Sequence, residues 1–176
     1  TRYLDGFDLG SESSVALSDL DVDGDLDMLV GNKIEPEGEL AGLYFIENVG
    51  SVKAPSFRMR SKLPVEPAYH YAPALGDLDG DGDADLVLGT WRDALLYYRN
   101  DGSRTAPRFV LADSMLAQLT RGSHASPTLG DVDGDGDLDL LVGEASGTVN
   151  QFRNDGSRTS PRYTLVTDEW EGLQEG

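Results

Sequence analysis

The sequence contains no cysteine and few basic residues, and each shortage excludes a class of protein. Without cysteine there is no disulfide framework and no zinc–thiolate site, and the redox compartment stays open. The 176 residues include 14 basic and 32 acidic side chains, which gives a net charge of −18. Because no basic stripe is available to neutralise phosphates, we expect no nucleic-acid partner.

Long apolar runs and catalytic signatures are also missing from the sequence. Neither a signal peptide nor a run of 18 apolar residues is present, so we expect no membrane insertion. There is no nucleophile motif, phosphate loop or HExxH signature, so we predict that the protein is not an enzyme. The only two histidines, His70 and His124, each lie seven residues before an acidic loop, where we expect a structural role.

The abundant residue is aspartate, which occupies every second position of one short stretch. Residues 77–85 read Asp-Leu-Asp-Gly-Asp-Gly-Asp-Ala-Asp, with five carboxylates in nine residues. Two unit charges about 4 Å apart repel by roughly 4 kcal/mol at a surface-like dielectric, so a cation is expected among them. Calcium binds oxygen ligands at alternate positions of such a loop, with a glycine turn at position 6 and the backbone carbonyl of position 7. The sequence therefore predicts a calcium site.

Two further copies of this loop begin at Asp19 and Asp131, in register with the first. A nine-residue metal pattern rarely occurs three times by chance, so we predict three Ca²⁺ sites, one in each loop. The predicted ligands are the fifteen aspartates of the loops: Asp19, Asp21, Asp23, Asp25, Asp27, Asp77, Asp79, Asp81, Asp83, Asp85, Asp131, Asp133, Asp135, Asp137 and Asp139.

An EF-hand is the first alternative for such a loop, and the residues that follow it argue against one. An EF-hand needs a bidentate glutamate at position 12 and a helix on each side. Position 12 here is Val30, Leu88 and Val142, in short apolar runs closed by glycine that are typical of buried strands. The same apolar runs disfavour an acidic disordered tract. We therefore predict a strand–calcium loop–strand hairpin, in which the ninth-position aspartate replaces the glutamate.

A second motif repeats with the loops and establishes the period of the chain. The first aspartates of successive loops are 58 and 54 residues apart. The segment 99–109, which begins Arg-Asn-Asp-Gly, recurs at 153–163 and in a divergent form at 47–57. Its Asn and Gly residues favour a tight turn between a third and a fourth strand. The first repeat carries a six-residue insertion within 32–41.

Four strands at this period predict an all-β fold of three four-stranded antiparallel β-propeller blades. We assign the blades to residues 11–60, 61–112 and 113–168, a strand remnant of a preceding blade to 1–10, and a tail or connector to 169–176. A propeller usually needs about four to eight blades, so we expect further blades from a longer chain or from a second copy. The start at Thr1 rather than Met is what we expect of a processed or excerpted product.

The stretches 76–86 and 130–140 resemble the FG-GAP/VCBS repeats of integrin alpha-subunit propellers and many secreted bacterial proteins. The run 152–163 is similar to the bacterial branch, and the resemblance extends from residue 11 to about 168. It implies calcium-binding propeller blades located outside the cell or on its surface. The first repeat departs from the pattern at Ser18 and Val22, where the others have glycine, but its carboxylates are intact.

The leading functional hypothesis is a non-catalytic extracellular module for adhesion, surface assembly or recognition of a protein or glycan. The alternatives are a propeller accessory part of a secreted carbohydrate-active enzyme, or a lectin. Trp91 and Arg92, in the turn between the second and third strands of repeat two, are the candidate ligand-binding residues. An exposed aromatic beside polar groups stacks on sugars or anchors a protein partner, although packing between blades also accounts for Trp91.

Overall fold

The computed structural model describes residues 8–103, 105–120 and 122–168. Within these residues the chain forms twelve β-strands and no helix, so the predicted all-β class is confirmed. No helix there is long and apolar enough to cross a membrane. The predicted tail at 169–176 and most of the predicted strand remnant at 1–10 lie outside the described residues.

The strands form three sheets of four, each antiparallel and ordered as in the chain. In the described part of the chain, these are three blade-like sheets that do not close into a ring. The first sheet contains β1 (Ser14–Ser18), β2 (Asp27–Gly31), β3 (Leu43–Asn48) and β4 (Phe57–Lys62). The second contains β5 (Ala72–Gly76), β6 (Asp85–Gly89), β7 (Ala94–Asn100) and β8 (Phe109–Gln118). The third contains β9 (Ser126–Gly130), β10 (Asp139–Gly143), β11 (Val149–Asn154) and β12 (Tyr163–Thr167).

The second strand of the middle sheet is apolar on both faces because each face packs against a different sheet. Leu86 and Leu88 of β6 join Leu29 of β2 in a fully buried cluster between the first and second sheets. Val87 points the other way and packs with Leu140 of β10 between the second and third sheets. Since strand side chains alternate between faces, a continuous apolar run is what a strand between two neighbours requires.

Glycine at the end of β2 and of β6 permits the sheets to approach closely. A Cβ atom at Gly31 would overlap the carbonyl oxygen of Tyr71, and one at Gly89 would overlap that of Ala125. The approach also allows a backbone hydrogen bond between the first two sheets, from Tyr71 N to Asn32 O at 2.8 Å. The sheets are therefore joined by backbone contacts as well as by apolar side chains.

The outer faces of the first and third sheets lack this packing. Val15 and Leu17 of β1 are 52% and 55% exposed, although the equivalent of Val15 in the second sheet, Pro73, is buried. At the other end, Leu141 is only half-buried, and a Cβ atom added at Gly143 would meet just one atom, the carbonyl oxygen of its own sheet's Ser126, at 4.0 Å. Exposed apolar strand faces of this kind favour a further neighbour on each side.

We expect the isolated 176-residue chain to associate in calcium buffer, because association would cover both apolar end faces. Leu17→Glu should weaken this association by placing a charge on the first end face. Met115→Glu is the matched control, since Met115 is 58% exposed and lies on β8 of the middle sheet rather than on an end sheet. Light scattering measures the outcome, and a monodisperse, cooperatively melting particle of 19.0 kDa in the parent chain would contradict it.

Candidate metal centres

Each acidic loop joins the first and second strands of one sheet, and strand pairing brings its two ends together. Gly76 pairs with Asp85 across β5 and β6, and Gly130 pairs with Asp139 across β9 and β10. The first aspartate of a loop follows the first strand directly, and the ninth-position aspartate begins the second strand. The hairpin register therefore places these two side chains next to each other.

The same three loop positions converge in all three sheets. One carboxylate oxygen from each of positions 1, 3 and 9 lies within 4.8 Å of the other two. Positions 5 and 7 are not part of these groups of three. The groups are Asp19, Asp21 and Asp27; Asp77, Asp79 and Asp85; and Asp131, Asp133 and Asp139.

The first aspartate of each loop is wrapped by backbone amides. Asp77 Oδ1 accepts a hydrogen bond from Gly80 N at 2.7 Å, and its Oδ2 accepts one from Gly82 N at 3.2 Å. Gly82 has a φ of 91°, a left-handed conformation that glycine adopts without steric strain. The same pair of bonds forms around Asp131 in the third loop. These amides hold the carboxylate in place and oppose its negative charge.

The ninth aspartate connects its loop to the end of the third strand. Asp85, only 1% exposed, accepts hydrogen bonds from Leu78 N at 3.0 Å and from Asn100 N at 2.8 Å. Equivalent pairs of bonds form at Asp27 and Asp139. Burial raises the pKa of Asp85, and the two backbone bonds only partly offset that effect.

Two further residues support the site and were not assigned to it from the sequence. The Tyr97 hydroxyl donates to Asp85 Oδ2 at 3.1 Å. The side-chain oxygen of Asn100 accepts from Gly102 N at 3.1 Å and from Arg108 N at 2.8 Å, so this residue closes the following turn while its own amide contacts the aspartate. The asparagine recurs in the second motif, so the sequence could have revealed it. From the sequence, however, it indicated only a turn and not a contact with the ninth-position aspartate.

The carboxylates at positions 5 and 7 face different surroundings. Asp81 Oδ1 accepts a hydrogen bond from Asp83 N at 3.0 Å, so position 5 braces the loop. At position 7, one buried oxygen of Asp25, of Asp83 and of Asp137 has no hydrogen-bond partner. Burial, followed by repulsion from Asp81, raises the pKa of Asp83 to about 6. Because an unpartnered buried carboxylate oxygen is costly, these loops fit a bound cation, and their all-oxygen donor set suits calcium.

The first loop differs from the other two at its fourth position. Val22 adopts a φ of 61°, where the equivalent Gly80 and Gly134 have 78° and 83°. A left-handed β-branched residue is an outlier, at a cost of about 1–2 kcal/mol. In this loop Asp19 Oδ1 accepts from Asp23 N at 3.2 Å instead of from the fourth residue. The departure seen in the sequence is therefore a local backbone strain beside intact carboxylates.

The candidate ligand-binding residues lie on the surface, away from the loops. Trp91 is 47% exposed, and its backbone N–H donates to Tyr69 O at 3.0 Å. Arg92 is exposed as well, and its backbone N–H donates to the Thr90 hydroxyl at 3.2 Å. Both residues occupy the turn between β6 and β7, which is at the opposite end of the sheet from the acidic loop.

The protein is an all-β repeat protein. Each of its three four-stranded sheets resembles a propeller blade and carries a group of three aspartates in its first loop. A family model for the FG-GAP-like repeat matches residues 77–142, which include the second and third loops. Integrin alpha-7 of Rattus norvegicus is 33% identical over 149 residues, or 80% of this chain. The chain therefore carries FG-GAP-like repeat sequence at residues 77–142. It spans 13% of the length of that integrin.

Replacing members of one aspartate group should separate metal binding from folding. Asp79→Ala should reduce the number of calcium ions bound from three to two, because alanine offers no ligand oxygen. It should leave the chelated protein almost as stable, because in the described chain the Asp79 carboxylate accepts a single backbone hydrogen bond, from Asp81 N at 3.2 Å. Asp85→Ala should also destabilise the chelated protein by about 2 kcal/mol or more, because two backbone amides lose their acceptor.

Calorimetric titration counts the calcium ions, and thermal melting with and without chelator measures stability. Chelation should lower the melting temperature of the parent chain by many degrees, since binding energy contributes to folding. Glu37→Ala, an exposed carboxylate in the insertion, is the control and should keep all three ions. Three ions bound to Asp79→Ala, or a melting curve that chelation does not change, would refute the assignment.

Relief of the strain in the first loop should stabilise the protein. We expect Val22→Gly to raise the free energy of unfolding by about 0.5–1 kcal/mol, because glycine removes the left-handed penalty but has greater unfolded-state entropy. Val132→Gly in the third loop is the control, since Val132 is exposed and has no positive φ. Denaturant unfolding measures both variants, and a less stable Val22→Gly variant would contradict the strain argument.

Proposed function

We propose that this chain is a non-catalytic, extracellular calcium-binding β-propeller module for adhesion, surface assembly or recognition of a protein or glycan. The observation that carries the proposal is the repetition of one three-carboxylate group at the same end of all three sheets. Calcium sites built in this way fill where free calcium is high, which favours the outside of the cell. The similarity to integrin alpha-7 supports the same conclusion.

Calcium bound at positions 1, 3 and 9 would act as a structural ion. It would neutralise carboxylates that otherwise repel each other, and it would hold the two ends of each hairpin. Asp85 is bonded to the backbone of both the loop and the end of β7, so it would transmit this restraint to the third strand. Asp27 and Asp139 make the equivalent bonds in the other sheets.

The environment of Glu35, a carboxylate outside the loops, supports a non-catalytic role. In the insertion, Glu35 lies 2.6 Å from the Lys62 ammonium and accepts a hydrogen bond from the Tyr44 hydroxyl at 2.6 Å. Burial disfavours its charge, but these two partners outweigh burial and lower the pKa of Glu35. A carboxylate held in its ionised form by a lysine is a poor proton donor, so Glu35 serves to anchor the insertion to β3 and β4.

The end of the sheets opposite the calcium loops has the features of a recognition surface. A cavity of about 770 Å³ lies there, lined by the insertion of the first sheet and by the connection from β4 to β5. Its wall includes Leu40, Val65 and Tyr69, and Tyr69 accepts the backbone hydrogen bond of Trp91. Concave, largely apolar pockets with a few polar groups are where proteins bind ligands.

A lectin is the second candidate, and exposed aromatic side chains favour it. Tyr69 is 42% exposed and Trp91 is 47% exposed, at neighbouring backbone positions. Aromatic faces of this kind stack on sugar rings, and a charged neighbour such as Arg92 supplies hydrogen bonds. Within a longer protein, the same module would also serve as an accessory part of a carbohydrate-active enzyme.

Attachment of cells to surfaces coated with the chain tests the proposed function, and a glycan array identifies the lectin case. We expect attachment in calcium, loss of attachment in chelator, and about tenfold weaker binding for Trp91→Ala, since buried aromatic anchors dominate interfaces. Val52→Ala, exposed at the calcium-loop end, is the control and should bind like the parent. Attachment that neither chelator nor Trp91→Ala changes would contradict the proposal.

A further inference from the structure

Equivalent residues in left-handed conformation precede the first strand of each sheet. Glu12, His70 and His124 have φ values of 52°, 58° and 59°, and each lies seven residues before the first aspartate of its loop. Non-glycine residues seldom adopt positive φ. Three equivalent occurrences therefore mark a repeated turn at the end of the sheets opposite the acidic loops.

Hydrogen bonds to two different sheets hold each histidine turn in place. The carbonyl of Tyr69, just before His70, accepts a backbone hydrogen bond from its own sheet at 3.0 Å. The N–H of Tyr71, just after it, donates to the preceding sheet at 2.8 Å. The same pair of bonds flanks His124. Since consecutive sheets pack together, the two turns converge.

The two imidazole rings meet at this junction. Their centroids are 5.0 Å apart, and the ring planes are inclined at 72°. Both ring nitrogens of His70 are buried and lack a hydrogen-bond partner in the described structure. In His124, Nδ1 lies 2.8 Å from the Ser123 hydroxyl, which leaves Nε2 available. An edge-to-face ring contact alone gives the nitrogens of His70 no partner.

The distance between the rings is that expected of two imidazoles bound to one metal ion. Metal–nitrogen bonds of about 2.0–2.1 Å at a tetrahedral ion place the centroids of two ligating rings about 5 Å apart. Burial, followed by the neighbouring His124, lowers the pKa of His70, so its lone pair is available at neutral pH. The Ser123 contact resembles the hydrogen bond that orients most metal-ligating histidines through their other nitrogen.

The charges around the ring pair are balanced. Lys33 is the nearby ammonium, and it forms an ion pair with Glu12 at 2.7 Å. The ammonium of Lys33 lowers the pKa of Glu12, with smaller effects from the two histidines, so this carboxylate is ionised at neutral pH. A cation between the rings would therefore not face an uncompensated positive charge.

We propose that His70 and His124 bind one divalent metal ion with a preference for imidazole, such as Zn²⁺, at the end of the sheets opposite the acidic loops. Imidazole ligands suit Zn²⁺, Ni²⁺ and Cu²⁺, whereas calcium prefers oxygen, so the two kinds of site select different ions. The ion would join the second and third sheets through side chains. This site is independent of the proposed adhesive function and of the acidic loops.

Copper and zinc titrations of the calcium-saturated, full 176-residue chain test the proposal. Because the sequence has only two histidines and no cysteine, nitrogen hyperfine splitting from two imidazoles in the electron paramagnetic resonance spectrum of Cu²⁺ identifies this pair. Zn²⁺ should bind with one-to-one stoichiometry in excess calcium. His70→Asn and His124→Asn keep a residue that tolerates positive φ, and each should reduce the splitting to one imidazole and weaken Zn²⁺ binding about tenfold or more.

Glu37→Gln, at an exposed carboxylate of the insertion, is the control and should retain the signal of two imidazoles. If either asparagine variant fails to fold, nuclear magnetic resonance of ¹⁵N-labelled histidine in the parent chain decides the question. Zn²⁺ should then shift the nitrogen resonances of both rings. A Cu²⁺ spectrum without imidazole splitting, or histidine resonances that Zn²⁺ leaves unchanged, would overturn the proposal.

Discussion

The structure depends on one constraint, the attachment of a buried carboxylate to two parts of its own sheet. In the middle sheet, Asp85 accepts one backbone hydrogen bond from the acidic loop and another from Asn100 at the end of β7. Asp85 is only 1% exposed, so its carboxylate requires these hydrogen-bond donors, and a cation beside it would stabilise its charge. Because Asp85 is also a member of the three-carboxylate group, that group and the end of the third strand are held by one residue.

Packing between sheets is the second requirement, and no sheet satisfies it alone. The strand β6 uses Leu86 and Leu88 for the preceding sheet and Val87 for the following one. Each blade-like sheet therefore needs a neighbour on both faces, as in other repeat proteins whose units contact only adjacent units. Where no neighbouring sheet is present, at β1, the apolar side chains of Val15 and Leu17 are exposed.

The two ends of the sheets carry different kinds of side chain. All three acidic loops lie where the first strand of a sheet ends, and they present oxygen ligands suited to a hard cation. The opposite end carries the apolar cavity, the exposed Tyr69 and Trp91, and the paired imidazoles of His70 and His124. The two ends of the sheets therefore present different chemical groups on one arrangement of strands.

The sequence by itself determined the strands, their order and the three acidic loops, because alternating aspartates, apolar runs and turn residues are local patterns. Only the tertiary structure decided which carboxylates converge, since the pairing of Gly76 with Asp85 closes the loop and leaves Asp81 and Asp83 outside the group of three. It also decided that His70 and His124 meet. They are 54 residues apart in the chain, and only the packing of one sheet on the next brings their rings together.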